Sequence, residues 1–236
     1  MSTPATTDIR PVFNLGQYTK LYNYVLKHVQ KGSKVLDWGA GDLHFSAFLL
    51  ESGYESHAYV HNQSSLIGGD RGIAVKVGDG EPVKIPYADE SFDVVFSVGV
   101  LEHVHESGGD SQKSVQEIIR ILKPGGKFIV YHLPAKGTWI EPVAALMNRK
   151  FNKNHHIHTR LFGKADVQAI EQLQFKLLKK ERYAFLPRNV LATMLPWSLK
   201  RSRVLSSFYS GLDQVLSTIF PFFTQNYFLV FQKSLL

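Results

Sequence analysis

The sequence contains no cysteine among its 236 residues. This absence excludes disulfide frameworks, thiolate zinc sites, iron–sulfur clusters and cysteine nucleophiles, and it fits a reducing, cytoplasmic location. Glycine and proline are also few, with 18 and 10 residues, whereas 44% of the residues are apolar and 12% are aromatic. Such a composition excludes disordered and collagen-like chains, so we expect a folded protein.

The first ten residues, MSTPATTDIR, do not have the basic start and apolar run of a secretory signal. We expect them to form a frayed tail. The net charge of +7, from 27 Lys and Arg against 20 Asp and Glu, favours an anionic partner such as a phosphate, an acidic glycan, a nucleic acid or an anionic lipid. Nucleic acid is disfavoured, since the sequence has no recognised binding module and no long basic run.

Short β-rich segments alternate with segments of helical periodicity along most of the chain. This alternation predicts crossover connections, and hence an α/β fold whose mostly parallel sheet carries helices on both faces. Ligands bind such sheets at the carboxyl ends of the strands. The predicted strands are residues 34–37, 56–60, 73–77, 92–98, 127–132, 175–183 and 227–232.

The chain is predicted to form one domain over residues 1–236, with an N-terminal helical segment at 1–31 and a helical insertion at 187–226. Within the insertion, apolar residues recur at the spacing of one helix face from Leu205 to Phe220. A basic cluster, Lys200 to Arg203, precedes that helix. The insertion could pack on the sheet, form a dimer contact, cover the substrate or lie on an anionic bilayer.

Two glycines, Gly39 and Gly41, follow the first predicted strand and precede a helix. Residues without Cβ let the backbone approach a ligand closely, so this turn could hold a nucleotide-like group, although plain turn chemistry gives the same pattern. A nicotinamide dehydrogenase is disfavoured, because His44 stands where its fingerprint requires a third glycine.

Four segments together resemble class I S-adenosylmethionine-dependent methyltransferases, in the branch of small-molecule, quinone and lipid methyltransferases. They are VLDWGAG at 35–41, GDGE to SFD at 78–93, VVFSVGVLEHV at 94–104 and ILKPGG at 121–126. The resemblance implies a Rossmann-like seven-stranded sheet with an antiparallel last strand. It also implies methyl transfer by in-line displacement to a small-molecule acceptor, with lipid-linked and glycan acceptors as candidates.

The resemblance places the methionine portion of the cofactor near Asp37 and the adenine amino group near Asp79. An ionised carboxylate can only accept hydrogen bonds, which suits an amino group, although Asp79 could equally be a turn residue. His103 beside Glu102 is the candidate general base, with a cofactor-positioning role as the alternative. The full set of predicted cofactor-binding residues is Asp37, Trp38, Gly39, Ala40, Gly41, His61, Asn62, Asp79, Gly80, Ser97 and Val98.

Two positions depart from the family pattern. Leu43 stands where the third glycine belongs, and His61, Asn62 and Gln63 replace the acid that grips the ribose. Losing one hydrogen bond to a charged group, about 1.5–3 kcal/mol, weakens binding about 10- to 100-fold. A non-catalytic scaffold of this fold, or a membrane-interaction protein, is therefore the alternative hypothesis.

The histidine cluster at residues 154–158 has no carboxylate at ligand spacing, so no metal site is predicted. We expect a solvated or substrate-facing basic loop instead. Together with Arg149, Lys150, Lys153 and Arg160, the cluster could meet a phosphate or an acidic sugar.

Overall fold

A seven-stranded sheet forms the centre of the protein. The structure is a computed structural model that describes residues 11–66, 72–79, 81, 83–151 and 158–235. The strands are β1 (Lys34–Trp38), β2 (Glu55–Val60), β3 (Ala74–Val77), β4 (Phe92–Val98), β5 (Leu122–Pro134), β6 (Phe175–Tyr183) and β7 (Asn226–Lys233).

The strand order is β3-β2-β1-β4-β5-β7-β6. Neighbouring strands pair in parallel from β3 to β5, and β7 is inserted antiparallel between β5 and β6. This arrangement confirms the predicted Rossmann-like sheet with an antiparallel last strand. Its parallel strands bring their carboxyl ends to one edge, where the candidate site lies.

Helices cover both faces of the sheet, as predicted. They are α1 (Val12–Leu15), α2 (Thr19–His28), α3 (His44–Glu51), α4 (Ser111–Ile121), α5 (Ile140–Phe151), α6 (Lys164–Glu171), α7 (Arg188–Met194), α8 (Trp197–Lys200) and α9 (Arg203–Ile219). Leu21 and Phe45 from α2 and α3 pack on one face, whereas Ile118 and Val167 from α4 and α6 pack on the other. The sheet is thus buried between two apolar layers.

The predicted bounds of β5 are too short. The sequence predicts a strand that begins at residue 127, but β5 already begins at Leu122, which pairs with Phe92 before a register shift in the β4–β5 ladder. At its other end β5 bulges at His132, whose φ is 62°. Such a bulge re-aims a side chain, here at the edge that carries the site.

The N-terminal segment and the insertion meet over the carboxyl edge of the sheet. Phe13 packs against Tyr209 of α9 with 5.1 Å between ring centroids. The buried guanidinium of Arg188 donates to the Phe13 carbonyl at 2.7 Å and to Ser210 Oγ at 2.6 Å. These contacts fasten two segments that are distant in sequence into one cover.

Helix α9 has much of its apolar stripe on the outside. Its buried side chains are Ser206, Tyr209 and Ser217, whereas Phe208 is 69% and Ile219 is 60% exposed. The predicted stripe is therefore divided, because Tyr209 is buried against Phe13 and Leu205 packs on the same cluster, whereas other members of the stripe face outward. We call the outward stripe the insertion face; it consists of Val204, Phe208, Leu212, Val215 and Ile219.

Candidate functional site

Two cavities open at the carboxyl ends of the strands. The first, of about 380 Å³, lies across the ends of β1, β2 and β4, and we call it the glycine cavity. Its size lies in the range of ligand pockets. It is lined by Trp38, Gly39, Gly41, Tyr59, Val60, His61, Asn62, Val83, Gly99, Val100, His103, Val104, Glu106 and Ser107.

The glycine turn shapes one wall of this cavity. Gly39 has φ of +81° and Gly41 of +51°, the left-handed region that glycine adopts without steric cost. A Cβ on Gly39 would collide with the Val100 side chain, whereas a Cβ on Gly41 would come no closer than 3.9 Å to another atom. Gly39 is therefore required for packing, and Gly41 leaves open space on the ligand side.

Leu43 adopts the left-handed conformation that a third glycine would have. Its φ is 59°, and its side chain is buried against Ala40, Ala47 and Val60. Leu43 is not among the described residues that line the two cavities. The leucine consequently fills the core beneath the turn and leaves the glycine cavity open.

Asp37 is the penultimate residue of β1 and is enclosed by the protein. Only 2% of it is exposed, and Ser46 Oγ donates a hydrogen bond to its Oδ2 at 2.6 Å. Burial raises the pKa of this carboxyl to about 6, against the lowering effects of the Ser46 hydrogen bond and of His44. Asp37 is not among the described residues that line either cavity, so its contact with the methionine portion of the cofactor stays a prediction.

The end of β2 supplies polar groups in place of the expected acid. His61 and Asn62 line the glycine cavity, and Tyr59 accepts the backbone N–H groups of Gly39 and Ala40 on its carbonyl at 2.8 and 3.0 Å. This pair of hydrogen bonds fixes the turn to β2. Hydrogen-bonding groups therefore remain where the ribose is expected.

Some predicted cofactor residues stand away from the described cavity walls. Asp79 is exposed and accepts a hydrogen bond from the Glu81 backbone N–H at 3.2 Å, and it is absent from the described lining. Ser97 is fully buried in β4, and Val98 follows it. Gly80 lies outside the described residues, so contacts of Asp79 and Gly80 with an adenine stay predictions.

The second cavity, of about 620 Å³, is the polar cavity. It lies beneath the N-terminal segment and the insertion, and the inward side of α9 forms one wall with Tyr209, Ser210, Asp213 and Gln214. Its lining also includes Asn14, Gln17, Lys20, Asn23, His132, Glu141, His158, Tyr183, Arg188, Asn189, Gln225 and Asn226. Such a wall suits a ligand with several hydrogen-bonding groups.

The two cavities share Gly99 and His103. Gly99 has φ of +70°, and a Cβ there would point to Glu102 Oε1 at 3.8 Å and His132 Cβ at 3.9 Å. Glu102 is 4% exposed and lines the polar cavity, and burial raises its pKa to about 7. The two predicted catalytic residues therefore stand at the junction.

His132 and Glu141 line the polar cavity without having been predicted from sequence, whereas His158 belongs to the predicted histidine cluster. His132 reaches the polar cavity because of the β5 bulge, where its backbone N–H donates to Tyr183 Oη at 2.9 Å. His158 reaches it because Glu141 Oε1 holds its Nδ1 at 2.7 Å. Residues 152–157, with most of the predicted histidine cluster and Lys153, lie outside the described residues, as do the side chains of Arg149 and Lys150.

Residues 36–130 match the model of a family described as a methyltransferase domain. A demethylmenaquinone methyltransferase from Corynebacterium glutamicum is 36% identical over 103 residues, which are 43% of this chain and 42% of the relative. The chain thus aligns with less than half the length of that relative. These matches confirm the predicted resemblance to class I S-adenosylmethionine-dependent methyltransferases of the quinone branch.

Solved structures of the same fold cover nearly the whole chain. The MccD protein is similar with a TM-score of 0.61 at 13% identity, over 92% of this chain and 97% of that chain. The [4+2]-cyclase SpnF is similar with a TM-score of 0.58 at 17% identity, over 91% and 80%. At such identities the likeness shows the fold alone, and the site must carry the function.

Proposed function

We propose that the protein is an S-adenosylmethionine-dependent methyltransferase whose glycine cavity holds the cofactor and whose polar cavity holds the acceptor. The observation that carries this proposal is the meeting of the two cavities at Gly99 and His103. In-line displacement needs the methyl group and the acceptor atom to face each other through one opening. The family match and the open space beside Gly41 support the same assignment.

The chain's own residues would bind, orient and exclude water. S-adenosylmethionine, when bound, supplies an electrophilic methyl group on a sulfonium. Gly41, His61 and Asn62 would receive the nucleoside, and Asp37 would lie toward the methionine end. The cover made by α9 and the N-terminal segment would shield the acceptor from water.

The acceptor class follows from the two sides of α9. Its inward side places Tyr209, Asp213 and Gln214 on the polar cavity, and its outward side is the apolar insertion face. A polar headgroup carried on a lipid fits both sides, because the headgroup would enter the polar cavity while the lipid stays in a bilayer under α9. We therefore favour a lipid-linked, oxygen-rich acceptor over a free glycan.

The insertion face is suited to the surface of an anionic bilayer. Large apolar side chains are exposed beside it, with Trp197 at 63% and Phe222 at 77%. The exposed Arg201 follows α8, the exposed Arg203 begins α9, and the chain carries a net charge of +7. Apolar and basic groups together favour an interfacial position. Among the described residues, no helix combines the length and apolar character needed to cross a membrane.

Isothermal titration with S-adenosylhomocysteine tests the cofactor assignment. We expect micromolar binding, and we expect Gly41→Ala to weaken it about tenfold, equivalent to about 1.4 kcal/mol, because the new methyl group enters the cavity. Gly53→Ala is the matched control, since Gly53 also has positive φ, at 86°, and an added Cβ meets no atom within 4 Å. No binding at millimolar ligand would instead favour the non-catalytic scaffold.

Co-sedimentation with vesicles tests the bilayer assignment. Binding should require anionic lipid and should fall with ionic strength. Phe208→Ser together with Ile219→Ser should abolish it, whereas Leu26→Ser, at a 43% exposed position on α2, should not. Arg201→Gln should weaken binding by about 1 kcal/mol, and Lys113→Gln on α4 should have less effect.

A dimer is the competing occupant of the insertion face. Analytical ultracentrifugation without lipid should show a monomer. A dimer that the double variant at Phe208 and Ile219 dissociates, combined with no vesicle binding, would assign the face to a second copy of the chain.

A further inference from the structure

Three potential metal ligands converge at the junction of the two cavities. Glu102 and His103 follow β4, and His158 arrives from the connection between α5 and α6. One carboxylate oxygen and one ring nitrogen from each histidine all lie within 4.8 Å of one another, and His103 Nε2 is 4.0 Å from Glu102 Oε1. The sequence predicted no metal here, because Glu102 and His158 are far apart in the chain.

A separate carboxylate holds each histidine ring in place. Glu106 Oε1 lies 3.0 Å from His103 Nδ1, and Glu141 Oε1 lies 2.7 Å from His158 Nδ1. Glu141 also accepts the backbone N–H of His158 at 3.3 Å. An imidazole whose Nδ1 donates a hydrogen bond carries its lone pair on Nε2. In this tautomer the ring can bind a metal through Nε2. Such carboxylate–histidine pairs recur around protein metal sites and fix the orientation of the ligands.

The carboxyl groups at the junction favour the binding of a cation. Glu102, Glu106 and Glu141 bring three carboxyl groups to two histidines, although the chain as a whole is basic. Glu102 is the most enclosed of them, with 4% exposure. Charges buried in proteins are normally paired or coordinate a metal.

We propose that Glu102, His103 and His158 form a binding site for a divalent transition-metal ion, with Zn²⁺ as the best fit. Two imidazoles and one carboxylate make up the ligand set of open zinc sites, and they disfavour Mg²⁺, which takes oxygen ligands. Zinc–ligand distances of about 2.1 Å place tetrahedral ligands about 3.4 Å apart, so each side chain must move inward by less than about 1 Å.

This inference rests on the proposed function and narrows its substrate class to hydroxyl acceptors. The remaining coordination positions would face the polar cavity and would lower the pKa of an acceptor hydroxyl bound there. The hydroxyl proton leaves to solvent, the oxygen lone pair forms the O–CH₃ bond, and the C–S electron pair passes to sulfur, which gives S-adenosylhomocysteine. His103 would then act as a ligand in place of the general base predicted from sequence.

Titration of tag-free, EDTA-treated and dialysed protein with ZnCl₂ tests the site. We expect one ion per chain, no binding of Mg²⁺ at millimolar concentration, and ligand-field absorption bands when Co²⁺ is used. His158→Gln should weaken Zn²⁺ binding at least tenfold, and Glu141→Gln should weaken it about 10- to 100-fold through loss of ring orientation. His57→Gln is the matched control, because His57 pairs with Glu55 at 3.1 Å outside both cavities.

Binding of S-adenosylhomocysteine, measured on the same samples, separates the two proposals. Nucleoside binding without saturable Zn²⁺ binding up to 1 mM overturns the metal site and leaves the methyltransferase proposal intact. Zn²⁺ binding without nucleoside binding overturns the methyltransferase proposal and leaves the metal site intact. Equal Zn²⁺ affinity in the parent protein, His158→Gln and Glu141→Gln also overturns the site, with circular dichroism to show that the variants are folded.

Discussion

Substitution of Asp37 by asparagine should stabilise the protein, and more so as the pH rises. Asp37 is 2% exposed, and burial raises the pKa of its carboxyl from 3.8 to about 6. Between these two values the folded protein keeps a proton that the unfolded chain has lost. The free energy of unfolding therefore falls as the pH rises through this window. Asparagine has the same shape, can still accept from Ser46 Oγ and does not ionise.

The magnitude follows from the two pKa values. Proton linkage lowers the free energy of unfolding, relative to a residue that does not ionise, by about 2 kcal/mol at pH 5 and about 3 kcal/mol at pH 7.5. The difference in free energy of unfolding between Asp37→Asn and the parent protein should thus grow by roughly 1 kcal/mol over this range. Above pH 7.5 it should stay constant, because both states are then ionised.

Urea unfolding followed by tryptophan fluorescence measures this difference at the two pH values. Any effect of the substitution on packing adds the same offset at both pH values and cancels in the comparison. A difference that does not change with pH would refute the burial argument. A parent protein that gains stability over the variant with rising pH would show that the carboxylate is paired with a cation.

Substitutions at three further positions test the packing around the site. Leu43→Ala should lower the free energy of unfolding in urea by about 2–5 kcal/mol. Leu43→Gly should lower it by about 1 kcal/mol less, because glycine adopts positive φ freely. Neither substitution should change the affinity for S-adenosylhomocysteine by more than about twofold. Arg188→Ala should lower the free energy of unfolding by about 1–3 kcal/mol and speed amide hydrogen exchange around Phe13, because it leaves the Phe13 carbonyl without its donor. Tyr183→Phe should lower the free energy of unfolding by about 1–3 kcal/mol, because the backbone N–H of His132 loses its acceptor. Unchanged stability would contradict this role of the Tyr183 hydroxyl.

The sheet could be predicted because its signals are local. The run from Phe92 to Val98 is mostly apolar, as expected of a strand buried on both faces, and the glycine turn after β1 marks a strand end. The extension of β5 to Leu122 could not be predicted. Pro124 and two glycines indicate a turn, and only the pairing of Leu122 with Phe92 makes that stretch a strand.

The role of α9 shows what periodicity leaves open. The spacing from Leu205 to Phe220 indicates which residues share a helix face, but not which neighbour that face meets. Ser206, Tyr209 and Ser217 are the buried residues of α9, and Tyr209 also lines the polar cavity. An apolar stripe usually faces the core, but much of this one faces outward because α9 covers a polar cavity.

Only part of the residue cluster at the junction of the cavities could be predicted from the sequence. Glu102 and His103 are adjacent and follow a buried strand, so they could be chosen from sequence alone. His158 and Glu141 belong to another part of the chain, and tertiary packing alone brings them to the junction. Ligand spacing within a short segment therefore could not predict the cluster.

A crystal structure with S-adenosylhomocysteine tests the central claim most directly. The account predicts electron density for the nucleoside from Gly41 to Asn62 in the glycine cavity, with the sulfur directed toward Gly99 and His103. Density for the ligand in the polar cavity, or a glycine cavity closed by side chains in the presence of saturating ligand, would contradict it.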